Sequence, residues 1–155
     1  MSIDNRYKLK EINFSCSSHS TEDVEKVKKA IVNLLPETIR DKVEISDVKL
    51  RGHAGNEISL LELNITQNKM ISNILGYLAS NILEIDKDSL LQEVDERIDE
   101  NNCFYLRFNK QDAYNEVITL DDGDNSIRVV IKFIVYKQEP NLLTEALQNI
   151  GIIKK

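Results

Sequence analysis

Val48-Lys49-Leu50-Arg51-Gly52-His53-Ala54-Gly55-Asn56-Glu57-Ile58-Ser59-Leu60-Leu61-Glu62-Leu63-Asn64-Ile65 is the stretch that decides the fold. Leu61, Leu63 and Ile65 recur at every second position, the period of a strand with one buried face, so residues 57–66 read as a strand. Upstream, Val43 and Ile45 share one parity and Val48 and Leu50 the other, giving a strand over 43–51 with a bulge or bend near Ser46-Asp47. The turn Gly52-His53-Ala54-Gly55-Asn56 joins the two runs, and a short glycine-bearing connection between alternating segments is a hairpin signal. A hairpin makes the pair antiparallel, because parallel neighbours need a long crossover.

The same periods extend outward. Residues 9–17 alternate through Ile12, Phe14 and Cys16 and form a first strand. Ser18-His19-Ser20-Thr21 then supplies N-cap chemistry, with Glu22 and Asp23 in a first helical turn, and Val24, Val27, Ile31 and Leu34 follow at helical spacing until Leu35-Pro36. Pro36 opens one further short turn through Ile39. Asn68 caps a helix carrying Met70, Ile71, Ile74, Leu75 and Leu78, and Asp86 caps another over 87–98 with Leu90, Leu91, Val94 and Ile98. Phe104, Leu106 and Phe108 alternate in a strand over 103–108, and a helical turn occupies 109–115. Residues 116–120 and 126–137 read as two more strands around the turn Asp121-Asp122-Gly123-Asp124-Asn125. Pro140 precedes a last helix through Leu143, Ala146, Leu147 and Ile150, with Gly151 as its C-terminal cap. The order β-α-β-β-α-α-β-β-β-α predicts an α+β fold: a two-layer α/β sandwich with a mainly antiparallel sheet and helices on one face. One domain, 1–155, with a core from about 8 to 150, fits this length.

Hydrophobic residues at 41% and charged residues at 30% are a globular composition. No apolar run is long enough to span a bilayer and the N-terminus lacks a signal-peptide core, so the expected compartment is the cytoplasm, with no membrane partner. Cys16 and Cys103 each sit in apolar runs and are expected as buried free thiols. The net charge of −6 is uneven. Residues 54–102 carry 3 Lys/Arg against 10 Asp/Glu, a balance of −7, whereas 1–53 (10 against 9) and 103–155 (7 against 7) together reach +1. The acidic run Glu93, Asp95, Glu96, Asp99 and Glu100 reads as a solvated helix face.

Catalytic and metal chemistry find no support in the residues. His19 and His53 have no Cys or His at ligand spacing, and the 121–125 turn lacks the spacing and closing glutamate of a calcium loop. There is no phosphate-binding glycine loop, nucleophile elbow or HExxH. The expectation is no enzyme, no cofactor and no metal. The informative pattern lies on the strands. If Phe104, Leu106 and Phe108 face the core, Tyr105 and Arg107 point outward, as do Arg128, Lys132 and Tyr136 opposite Ile127, Val129, Ile131, Phe133 and Val135. An open face of Arg, Lys and Tyr suits phosphates and bases. Val130 and Ile134 share that face, so a protein-interaction or homodimerisation surface is the alternative.

Four blocks, in order, resemble a known family: His19-Ser20-Thr21-Glu22-Asp23 with Leu34-Leu35-Pro36-Glu37; Gly52-His53-Ala54-Gly55-Asn56; Tyr105-Leu106-Arg107-Phe108-Asn109-Lys110-Gln111-Asp112-Ala113-Tyr114; and Leu120-Asp121-Asp122-Gly123-Asp124. Together they look like the archaeal RNA-binding proteins expected to associate with the exosome. That resemblance implies a fold similar to the ribosomal protein that binds 5S RNA, no catalytic residues, and RNA or an RNA-processing complex as partner. It implies His53, Asn56, Arg107, Lys110, Gln111 and Tyr114 as contacts; Arg51, Arg128 and Lys132 join them from the face argument. The function expected is a non-catalytic RNA-binding domain in RNA processing or ribosome-related assembly.

Overall fold

A computed structural model describes residues 4–52 and 55–155. Its strands are β1 (Tyr7–Ser18), β2 (Ser46–Arg51), β3 (Glu57–Ile65), β4 (Cys103–Asn109) and β5 (Ser126–Val135). Its α-helices are α1 (Val24–Val32), α2 (Asn68–Asn81), α3 (Glu84–Gln92), α4 (Val94–Arg97), α5 (Lys110–Tyr114) and α6 (Leu142–Ile150), with a 3-10 turn at Glu37–Lys42. The five strands form one sheet in the order β2-β3-β1-β5-β4, and every neighbouring pair is antiparallel. The α+β sandwich expected from the alternation is the observed architecture.

Period-2 alternation places one set of side chains under the helices. Ile12, Phe14 and Cys16 of β1, Leu61, Leu63 and Ile65 of β3, Phe104, Leu106 and Phe108 of β4, and Ile127, Val129, Ile131 and Phe133 of β5 are all buried. The helices meet them with stripes at helical spacing: Val27, Ala30 and Ile31; Ile71, Ile74, Leu75 and Leu78; Leu143, Ala146 and Leu147. Each such Leu, Ile or Phe stabilises the fold by roughly 1.5–3 kcal/mol on burial. Both cysteines are buried and free. Gly151 ends α6 at φ +96, its N–H donating to the Leu147 carbonyl at 3.0 Å, the left-handed cap its position predicts.

Local readings fail where long-range packing intervenes. Residues 116–120 are no strand. They return past α5 and touch β4 through a single bridge, Phe108 to Leu120, while β5 inserts between β1 and β4. The 121–125 turn therefore does not join two paired strands. Residues 43–45 lie outside β2, and the one irregularity in β1 falls between Leu9 and Glu11 instead of near Ser46. The N-cap of α1 is Asp23, which accepts from the Glu25 N–H at 3.0 Å; the preceding residues close a turn in which His19 N–H donates to Glu22. Gln67, not Asn68, precedes α2. The helix expected over 87–98 starts at Glu84 and breaks at Glu93, where φ −100 and ψ 6 leave the helical region. Beyond the break, Arg97 pairs with Glu93 one turn before it and donates to the Tyr105 carbonyl.

Candidate nucleic-acid interface

The face of the sheet away from the helices is open, and the strand registers order its side chains into rows. Directly opposed residues share a face. One row crosses all five strands: Arg107, Arg128, Ser15, Glu62 and Ser46. The next carries Tyr105, Val130, Asn13 and Asn64, and a third carries Cys103, Lys132 and Glu11. Arg107 and Arg128 are thus immediate cross-strand neighbours. Among the described residues neither guanidinium has a carboxylate partner within ion-pair distance. Like charges directly opposite each other destabilise a pair of strands, so this arrangement leaves a concentrated positive site suited to an anion.

An aromatic neighbour braces Arg128. The Arg128 guanidinium lies 5.0 Å from the centre of the Tyr105 ring, within cation–π range. The Tyr105 hydroxyl donates to Asp99 Oδ2 at 2.7 Å, and Asp99 Oδ1 accepts from the Asn101 and Cys103 N–H groups. The Tyr105 hydroxyl, helped by those N–H groups, pulls the Asp99 carboxyl below its ordinary range against its partial burial. The same bond to Asp99 pushes the Tyr105 phenol upward. Lys132 is less open, being paired with Glu11 at 3.3 Å. Lys8, opposite Ile134, adds an exposed cation to this face. A groove of about 420 Å³ runs beside the arginines, bordered by Ser15, Ser46, Val48, Leu60 and Glu62.

The other candidates divide between two places. Lys110 is only 8% exposed. Its ammonium donates to the Ser17 carbonyl at 2.9 Å, to Glu22 Oε2 at 3.0 Å and to Asn125 Oδ1 at 2.5 Å. Burial raises the Glu22 carboxyl, but the His19 N–H and the Lys110 ammonium outweigh it and hold the group below the usual range. Lys110, Gln111 and Tyr114 line a separate cleft of about 470 Å³ between α1 and α5, where Lys26 Nζ sits 5.7 Å from the Tyr114 ring. Arg51 is exposed at the end of β2 opposite Glu57, sharing parity with Asp47, whose carboxylate meets Lys28 of α1. Arg51 therefore projects on the helix side of the sheet. Asn56 is exposed at the hairpin, its carbonyl accepting from the Gly52 N–H at 2.7 Å. His53 lies outside the described residues.

The structure thus brings Arg107, Arg128 and Lys132 together and separates them from the rest. It also adds groove residues that sequence reasoning missed, Glu62, Ser15, Val48 and Leu60, together with Asn13, whose amide donates to Glu62. For Asn13, Ser15 and Glu62 the signal was available, since they are polar positions alternating with Ile12, Phe14, Leu61 and Leu63; Val48 and Leu60 are apolar and carried none. Val130 is 6% exposed and already covered within the chain, which leaves Ile134 and Tyr136 as the open part of the expected apolar face. Among the described residues no His, Cys, Asp or Glu cluster could hold a metal ion, and no helix is long and apolar enough to cross a membrane.

Comparison with known proteins gives this face its context. A family model described as RNA binding matches residues 11–133. The RNA-binding protein PAB1135 of Pyrococcus abyssi is 32% identical over 131 residues, 84% of this chain and 85% of that protein. An uncharacterised protein of Methanocaldococcus jannaschii is 33% identical over 132 residues, 83% of this chain and 87% of its own length. The crystal structure of a DUF54 protein from Archaeglobus fulgidus superposes with a TM-score of 0.80 at 31% identity, covering 92% of this chain and 99% of that one. A second DUF54 structure, from Methanothermobacter thermautotrophicus, shares the fold at a TM-score of 0.74 and 22% identity, covering 92% and 97%. With the match running from the middle of β1 to the end of β5, the chain belongs to this RNA-binding family.

Proposed function

We propose that this protein is a non-catalytic RNA-binding domain that receives RNA on the open face of its sheet. The observation that carries this reading is the cross-strand pair Arg107 and Arg128, adjacent and without carboxylate partners among the described residues, with the Arg128 guanidinium braced on the Tyr105 ring. Phosphate contacts supply most of the sequence-independent affinity for nucleic acid, and Arg meets phosphate through a rigid fork of donors. The acidic residues behind the net charge of −6 are spread over the chain, five of the 26 lying on α3 and α4, and on the sheet face Glu11 is already paired with Lys132 and Asp99 with the Tyr105 hydroxyl. The cellular role we place in RNA processing or ribosome-related assembly, in the cytoplasm, on the strength of the family resemblance. A homodimer through Ile134 and Tyr136 is the second reading, favoured by the exposure of Tyr136; the mass in solution by light scattering decides it.

The test is fluorescence anisotropy with labelled single-stranded RNA across a salt series. Wild-type affinity falls as salt rises. R107A/R128A weakens binding and flattens the logarithmic salt slope by about 0.7 if the adjacent guanidinium groups share one phosphate and about 1.4 if they hold two, because each phosphate neutralised on a single strand contributes roughly 0.7. Equal affinity and slope for wild type and the double variant would overturn the assignment.

A further inference from the structure

The groove beside the arginines has a composition that phosphate binding alone does not require. Val48 and Leu60 stand directly opposite each other on β2 and β3 and are 53% and 41% exposed, although both border a concave surface. They form an apolar wall facing solvent. Glu62 borders the same groove, and its position is set by the row that runs through Ser15 to Arg128. Two strand spacings, roughly 9.6 Å, separate Glu62 from Arg128. That distance is of the order of the span from a nucleotide's phosphate to the hydrogen-bonding edge of its base.

Resting on the RNA-binding reading, we infer that this groove seats one unstacked nucleotide and selects guanine. The phosphate lies on Arg107 and Arg128, the base packs its flat face on Val48 and Leu60, and the Glu62 carboxylate receives the base edge. An ionised carboxylate only accepts hydrogen bonds, and it accepts two parallel donors best. Guanine presents such a pair, its N1–H and its 2-amino group; adenine, cytosine and uracil each present one donor flanked by an acceptor. Glu62 is oriented for this by the Asn13 amide, which donates to Oε2 at 3.2 Å, while Oε1 has no side-chain donor among the described residues. A solvent-open groove on a sheet face suits a single strand whose bases are splayed, whereas the narrow major groove of an RNA duplex hides its base edges. Asp124 also borders the groove, but it belongs to the loop entering β5, on the arginine side, away from the apolar wall.

The experiment compares single-stranded heptamers of uridine whose central residue is G, A, C, U or inosine, by anisotropy with wild type, E62Q, D124N and R107A/R128A. Wild type binds the G heptamer roughly tenfold more tightly than the A, C or U heptamers, the order of discrimination of a bidentate base contact. Inosine, which lacks the 2-amino group, falls between. In E62Q the G-to-U affinity ratio drops to about one, because an amide offers one acceptor and one donor. In D124N the ratio persists, and R107A/R128A weakens every heptamer while keeping it. Equal wild-type binding of all heptamers, with weakening in R107A/R128A, would overturn guanine selection and leave RNA binding standing. Loss of the ratio in D124N but not in E62Q would overturn the role of Glu62. Failure of wild type to bind any heptamer at low salt would overturn both readings.

Discussion

Replacing Lys110 with Met separates two roles that the family motif leaves merged, ligand contact and internal clamp. Met keeps most of the apolar stem and removes the ammonium. In the structure that ammonium satisfies the Ser17 carbonyl, the Glu22 carboxylate and the Asn125 side chain, tying the end of β1, the turn before α1 and the loop before β5 to α5. Breaking one partner out of a buried ion pair costs about 3–5 kcal/mol. The Glu22 side chain retains 23% of its exposure and can regain water, which lowers the expected loss to about 2–3 kcal/mol. At roughly 2–4 °C per kcal/mol for a domain of this size, Tm should fall by about 4–12 °C. Circular dichroism melts at neutral pH measure it, with anisotropy on the folded variant alongside. The clamp also carries a pH signature. The folded Glu22 carboxyl sits below its unfolded value of about 4.3, so its contribution is complete above that pH and is lost as pH falls through the folded value. The gap in Tm between wild type and K110M should therefore narrow below about pH 4. An unchanged Tm together with abolished RNA binding would refute the clamp and return Lys110 to the ligand.

Two further predictions concern the supports of the site. Asn33 is 2% exposed and its amide donates to the Ala113 and Tyr114 carbonyls at 3.0 and 3.1 Å, closing the end of α5 against α1. Asn33→Ala strands both acceptors and should lower stability by about 2 kcal/mol, seen as a smaller urea midpoint with an unchanged m-value. Asp99, held below its ordinary range chiefly by the Tyr105 hydroxyl, contributes stability above about pH 3.9 that is lost as pH falls through its folded value. Asp99→Asn should remove that part of the acid transition, and ultraviolet titration of tyrosine should show the Tyr105 phenol returning toward about 10. An acid transition identical to wild type would show that Asp99 does not carry this linkage.

Much of the fold was legible in the chain, and the misreadings share a cause. Alternation at Ile12, Phe14 and Cys16 or at Phe104, Leu106 and Phe108 is a local property, set by a backbone that turns each successive side chain to the opposite face. The helical stripes and the Gly151 cap are local in the same sense. The strand read at 116–120 and the unbroken helix read over 87–98 also satisfied local rules. In the fold the Asp86 carboxylate accepts from the Leu120 N–H and Arg97 donates to the Tyr105 carbonyl and to Asp122, contacts that each segment alone does not specify.

For the candidate site, residue types and outward parity belonged to the sequence. Arg107, Tyr105, Arg128 and Lys132 could be placed on an exposed face by alternation alone. Their adjacency could not. It depends on β5 pairing with both β1 and β4, and on a register that sets Arg107 opposite Arg128; a slip of one residue would turn each side chain of a strand to the other face. Lys110 makes the same point from the opposite side. Its charge and its place after β4 suit a ligand contact, but its fate was decided by Glu22 and Ser17, 88 and 93 residues away in the chain. Faces are fixed by the geometry of successive residues, whereas neighbours across the sheet are chosen by burial of the whole core.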